Sequence, residues 1–67
     1  MNKTEIGNTI RTRRKSLKVD QRTFSLLAEV GLNTLVAVER GEGNPTLDTL
    51  LTILDTLGLQ IKITLKD

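Results

Sequence analysis

The chain has no cysteine, histidine, tryptophan or tyrosine, and only one phenylalanine and one proline. Without cysteine it cannot form a disulfide, and without cysteine and histidine it lacks the usual ligands of a zinc site. The same absences remove the commonest nucleophile and general base of enzymes, and the acidic residues are scattered singly. The glycine-rich stretch 41–45 follows no strand and is typical of a turn. We therefore expect no catalysis and no cofactor.

Long apolar runs are also missing, so the sequence predicts neither a signal peptide nor a membrane span. No helix pairs a large apolar face with a lysine-rich one, which argues against a membrane surface as partner. We expect a cytoplasmic protein. A chain of 67 residues buries only about 60% of its unfolded surface. Without disulfides or zinc, oligomerisation is the remaining source of stability, and a homodimer is the expected state.

The net charge of +2 is unevenly distributed along the chain. Residues 1–40 carry eight basic and four acidic side chains, whereas residues 41–67 carry two basic and four acidic ones. A basic first part suits a protein that binds a polyanion on one side, although an ordinary solvated surface explains the charge equally well.

Apolar spacing predicts a first helix from Ile6 to about Ser16 or Leu17, after a flexible start over residues 1–5. A cap formed by residues 4–5 is the alternative for that start. Lys18 occupies a turn position that glycine would fill with less strain.

Asp20 is a suitable N-cap for a second helix, Gln21–Ala28. Phe24, Leu27 and Ala28 share its inner face, and Phe24 is expected in the core rather than as a stacking platform. Leu26 lies off this face and is expected to be exposed, with contact to a partner as the less favoured alternative.

Residues 29–31 form a tight turn to a third, short helix that begins after Gly31 and ends at Gly41. Two short helices joined in this way are typical of a helix-turn-helix. Leu35 and Val38, with Val30, are predicted to face the core. The outer side then carries Leu32, Asn33, Val36, Ala37 and Arg40.

Thr46 is predicted to cap a fourth helix after Pro45, and Gly58 to end it. Its inner face is expected to hold Leu47, Leu50, Leu51, Leu54 and Leu57. Beyond it, Leu59, Ile61, Ile63 and Leu65 alternate with polar residues, which predicts a strand. A single strand needs a partner, and pairing with the same strand of a second copy is the simplest solution. Folding back on a helix and donation to another protein are the alternatives.

Several short motifs together resemble the Xre/Cro-like helix-turn-helix family: Asp20-Gln21, the 28–31 turn, 33–35, Val38-Glu39-Arg40-Gly41 and Asn44-Pro45-Thr46-Leu47. The resemblance implies a mainly α, lambda-repressor-like bundle of four to five short helices over residues 6–58. A C-terminal dimerisation strand is expected over residues 59–67. The leucine helix followed by one strand is similar to the HipB-type antitoxins, which repress their own operon as dimers and bind a HipA-type kinase toxin.

The resemblance also implies roles for individual residues. Arg14 and Glu39 match a buried ion pair between the first and third helices, which we prefer to a role in DNA contact. The residues implied in DNA binding are Gln21, Arg22, Leu32, Asn33, Thr34, Val36, Ala37, Arg40 and Asn44. Glu29 replaces a usual glycine of the turn, and Gly31 replaces a usual serine cap. Of the outer face only Asn33 offers a bidentate contact, most naturally to adenine.

The sequence thus favours a cytoplasmic, nucleoid-associated repressor that binds a palindromic DNA operator as a homodimer. The resemblance implies that it is the antitoxin of a HipBA-like pair, with a HipA-like kinase toxin as the expected partner. A stand-alone regulator of the Xre type is one alternative. The other is a protein-interaction module that neutralises a toxin with little DNA binding of its own.

Overall fold

Four helices make up the regular structure in the computed structural model, which describes residues 1–66. They are α1 (Lys3–Ser16), α2 (Gln21–Ala28), α3 (Leu32–Glu39) and α4 (Leu47–Thr56). The predicted caps are present: the Asp20 carboxylate accepts from the Thr23 N–H at 2.7 Å, and the Thr46 hydroxyl from the Thr49 N–H at 3.1 Å. Helix α3 begins at Gly31 without a side-chain cap. Local capping chemistry therefore sets most of the helix boundaries.

The first helix begins earlier than the sequence predicts. Asn2 caps α1, because its side-chain oxygen accepts the Glu5 N–H at 2.8 Å. The predicted boundary between a flexible start and the domain, after residue 5, consequently lies inside α1.

Positive φ angles mark the turns that end the helices. Lys18 has φ 59° and Glu29 has φ 56°, both in the left-handed region that glycine adopts more easily. Gly41 and Gly58, with φ 74° and 72°, end α3 and α4 as predicted. The strain expected at Lys18 is thus present, and the replacement of a turn glycine by Glu29 adds a second strained position.

The core draws on all four helices. Its buried members are Ile10, Phe24, Ala28, Leu35, Val38, Ile53, Leu54 and Leu57. Phe24 lies in the core, as predicted. The prediction that Leu27 faces the core is wrong, because 65% of this residue is exposed. The inner face of α2 is instead formed by Phe24, Ser25 and Ala28. The hydroxyl group of Ser25 donates a hydrogen bond to the Arg22 carbonyl at 2.7 Å, so this buried polar group has a partner.

The inner face of α4 is rotated from the predicted one. Ile53 is fully buried, whereas Leu47 and Leu51 are 65% and 43% exposed. Leu50 is half-buried against the core. Helix α4 therefore packs through positions 50, 53, 54 and 57, which also have helical spacing.

Helix α1 approaches α3 closely at Gly7, which is buried. A Cβ at Gly7 would collide with the Val38 carbonyl oxygen and lie 2.8 Å from the Glu39 carbonyl oxygen. Only glycine allows this approach, which brings Arg14 of α1 and Glu39 of α3 into the same interior.

Residues 59–66, here called the C-terminal segment, lie in neither a helix nor a strand of the single chain. Leu59 and Ile61 pack against the core, while Ile63 and Leu65 are 94% and 96% exposed. The predicted strand is therefore not formed by one chain alone, because no part of residues 1–66 pairs with it. Asp67, the last residue of the predicted dimerisation strand, lies outside the described residues.

Candidate nucleic-acid interface

Helix α3 has one buried side and one side turned away from the core. Leu35 and Val38 are buried, in agreement with the sequence. On the opposite side Asn33, Thr34 and Arg40 are exposed, and Leu32, Val36 and Ala37 are half-buried. The outer side combines three polar side chains with three apolar ones, so it offers both hydrogen bonds and methyl contacts to a ligand.

The position of α3 is fixed by an ion pair with α1. The Arg14 guanidinium contacts the Glu39 carboxylate through Nε–Oε2 at 2.7 Å and Nη2–Oε1 at 2.8 Å. The two side chains are 7% and 2% exposed. The hydrogen bond to Glu39 raises the pKa of Arg14 above its ordinary value, against the opposing effect of burial. This pair is the one that the resemblance implies, and it lies inside the fold rather than on an outer surface.

The same network extends to the turn between α1 and α2 and to the first residue of α2. Arg14 Nη1 donates to the Val19 carbonyl at 2.7 Å, and Gln21 Nε2 donates to Glu39 Oε1 at 3.1 Å. Throughout residues 1–66 no buried side-chain nitrogen or oxygen lacks a hydrogen-bond partner. A buried ion pair is most favourable when its remaining donors and acceptors are satisfied, as they are here.

Two surface grooves flank α3. The α1-side groove lies between α1 and α3, and Gln21, Val36 and Arg40 line it together with Arg11. The loop-side groove lies between α3 and the loop to α4, and it is lined by Asn33, Thr34, Ala37 and Asn44. Seven of the nine predicted DNA-binding residues therefore border one groove or the other. Leu32 and Arg22 line neither groove.

Two basic residues of α1 that sequence reasoning did not select also reach this surface. Arg11 lines the α1-side groove, on the same helical face as Thr4 and Asn8. Lys3 donates from Nζ to the Gly43 carbonyl at 2.6 Å and to Asn44 Oδ1 at 2.7 Å. The spacing 4, 8, 11 is a helical signal for Arg11. Nothing local signals the contact of Lys3, because it joins residues about forty positions apart.

A family model described as helix-turn-helix matches residues 10–63, which include α2, the turn and α3. The chain belongs to the helix-turn-helix family. Within that family the matching class is Xre-like, and the protein is accordingly a DNA-binding regulator of the Xre type. A search of curated proteins finds no match to the chain.

Other kinds of site find no support in the described part of the chain. Its acidic residues form no group of three that could hold a metal ion. None of the four helices is both long enough and apolar enough to cross a membrane.

Proposed function

We propose that this protein is a dimeric transcriptional repressor that binds a palindromic operator with α3 in the major groove. The observation that carries the proposal is the outer side of α3, held by the buried Arg14–Glu39 pair between two grooves that each include polar side chains. In helix-turn-helix proteins the second helix of the motif enters the major groove, and a dimer places two such helices about one helical turn apart.

The two grooves suit the two strands of the duplex. Gln21 and Arg40 line one groove and Asn44 lines the other, and we assign all three to phosphate contacts that fix the register of α3. Arg22 adds positive charge at the start of α2. Phosphate contacts of this kind supply much of the affinity and make it salt-dependent.

Base recognition falls mainly to Asn33 at the exposed start of α3. Its amide can form two hydrogen bonds with adenine, and Thr34 beside it can form one. Leu32, Val36 and Ala37 can contact only the methyl groups of thymine. A site rich in A·T pairs, with one adenine contact in each half, is the expected operator.

We infer that the C-terminal segment pairs with the same segment of a second copy. Ile63 and Leu65 are almost fully exposed, and no backbone N–H of residues 60–66 donates to another described residue. An unpaired apolar segment of this kind is a template for strand pairing. Pairing Leu59, Ile61, Ile63 and Leu65 across a two-fold axis would satisfy the backbone and bury the apolar side chains.

We further propose that the repressor is the HipB-like antitoxin of a toxin–antitoxin pair in the cytoplasm, where it binds a HipA-like kinase toxin and the operator of its own operon. Support comes from Leu26 and Leu27, which are 74% and 65% exposed on α2 and offer an apolar contact to a protein. A stand-alone Xre-type regulator needs no such partner, and a pure interaction module needs no operator.

Fluorescence anisotropy with the duplex upstream of the coding sequence tests the repressor. We expect tight binding at low salt and a steep loss of affinity as salt rises, because counterions are released from neutralised phosphates. Absence of binding, or affinity independent of salt, would contradict the proposal. Co-purification of the neighbouring gene product distinguishes an antitoxin from a stand-alone regulator.

A further inference from the structure

Lys3 connects the start of α1 to the loop between α3 and α4. Its ammonium group donates to the Gly43 carbonyl and to Asn44 Oδ1, at 2.6 and 2.7 Å. The backbones are also close here, since a Cβ at Gly41 would lie 2.9 Å from the Thr4 Cα. The loop that follows α3 is therefore attached to α1, a helix that is not part of the helix-turn-helix formed by α2 and α3.

The contact determines which way the Asn44 amide points. An ammonium group has donors only, so the amide atom facing Lys3 must be the oxygen. The Asn44 NH2 group is then directed away from Lys3, and it donates to no other residue among 1–66. Because Asn44 is exposed and lines the loop-side groove, these donors are available to a ligand beside α3.

Lys3 also changes the charge of the loop. Residues 41–46 contain one charged side chain, Glu42, which is negative and lines the same groove. A carboxylate beside a phosphate is unfavourable, and the Lys3 ammonium held in the loop offsets that charge. Lys3 thus supplies the cation that the loop lacks.

We propose that Lys3 is a positioning residue for DNA binding: it holds the Asn44 amide so that the NH2 group donates to a phosphate on the α4 side of α3. This inference rests on the proposed DNA-binding function and extends it to α1. Phosphate contacts made by a neutral amide depend on its orientation, and a charge-assisted bond to the oxygen fixes that orientation.

A double-mutant cycle tests the proposal, with a duplex selected in vitro from a random library as probe. Lys3→Met and Asn44→Ala are each expected to weaken binding about ten- to a hundredfold, the effect of losing one good hydrogen bond to a charged group. Because the orienting effect of Lys3 acts through Asn44, adding Lys3→Met to Asn44→Ala removes only the effect of its charge on the loop, and it should weaken binding less than about threefold more. Lys3→Arg keeps the positive charge and has enough donors for both acceptors, so it should restore most of the affinity.

Lys15→Met is the matched control, because it removes one positive charge from an exposed residue at the opposite end of α1. If Lys3→Met weakens binding no more than Lys15→Met does, or if the two effects multiply in the double variant, the positioning role is overturned while DNA binding stays intact. A wild-type protein that selects no duplex would overturn the proposed function and this inference together. Thermal melts of each free variant confirm that the folded protein is being compared.

Discussion

Two regions of the molecule differ in whether a single chain completes their contacts. One is the C-terminal segment, and the other is the α1–α3 junction, which is formed by Gly7, Arg14, Val38 and Glu39. At the junction the ion pair is bidentate and buried, and Gln21 satisfies the same carboxylate. In the C-terminal segment Ile63 and Leu65 are exposed, and the backbone of residues 60–66 donates to no described residue. The contacts of the junction are complete within one chain and fix α3, whereas the single chain leaves Ile63, Leu65 and the backbone N–H groups of residues 60–66 without partners among the described residues.

Breaking the ion pair should produce the largest effect. Arg14→Ala leaves Glu39 buried without its partner, and we expect a loss of about 3–5 kcal/mol in the free energy of unfolding. Arg13→Ala is the control, since Arg13 is exposed and donates only to the Leu57 carbonyl, at 3.0 Å. Urea unfolding measures both, and equal midpoints would contradict the structural role of Arg14. The double variant Arg14→Met/Glu39→Leu should recover much of the stability, because it leaves no unpaired charge.

Gly7→Ala tests the close approach in the same junction. The added methyl group would collide with the Val38 carbonyl and force α1 away from α3. We expect a destabilisation of about 1–3 kcal/mol, typical of overpacking. Asn8→Ala, at the next and exposed position of α1, should be neutral in the same urea titration. A Gly7→Ala protein as stable as wild type would show that the helices are farther apart.

Substitutions in the C-terminal segment should affect the association of two chains and not the stability of the single chain. Ile63→Lys with Leu65→Lys changes only exposed side chains of the single chain, so the stability of the monomer should be unchanged. The dissociation constant of the dimer should rise at least about tenfold, or roughly 1.4 kcal/mol. Sedimentation equilibrium measures it, with Thr64→Lys as a control on the alternate face. An unchanged dimer, or a wild-type monomer, would remove this segment from the interface.

The smallest effect is expected at Asp20, whose cap is exposed. The Thr23 backbone N–H and hydroxyl, followed by the charges of Arg14 and Arg22, lower the Asp20 pKa below its ordinary value of 3.8. A lowered pKa in the folded state adds stability above pH 3.8 that is lost as the pH falls through the folded value. The urea midpoint of wild type should therefore fall more steeply below pH 4 than that of Asp20→Asn, which retains a capping side chain. Parallel pH profiles would contradict this.

Sequence reasoning succeeded where structure depends on neighbouring residues. Asp20 and Thr46 begin helices, Gly41 and Gly58 end them, and each acts through backbone groups within a few positions. The Arg14–Glu39 pair is long-range and came instead from resemblance to a family.

The sequence-based predictions failed where the outcome depends on the orientation of a helix or on contacts between residues distant in sequence. Leu27 and Ile53 lie near the edges of apolar faces, and helices of eight and ten residues have too few turns to fix which edge is buried. The grooves, Gly7 and Lys3 depend on contacts between distant elements, for which spacing gives no signal. The pairing that we propose for the C-terminal segment involves a second molecule, which no single sequence specifies.

The measurement that tests the central claim most directly is the affinity of Asn33→Ala for a duplex selected by the wild-type protein. Asn33 is exposed at the start of α3, so the substitution should leave the urea midpoint unchanged. Thr52→Ala, exposed on α4, serves as the control. We predict that Asn33→Ala weakens binding by about 1–3 kcal/mol and reduces discrimination at one adenine in each half-site. Affinity and base preference equal to those of wild type would show that α3 does not contact bases through Asn33.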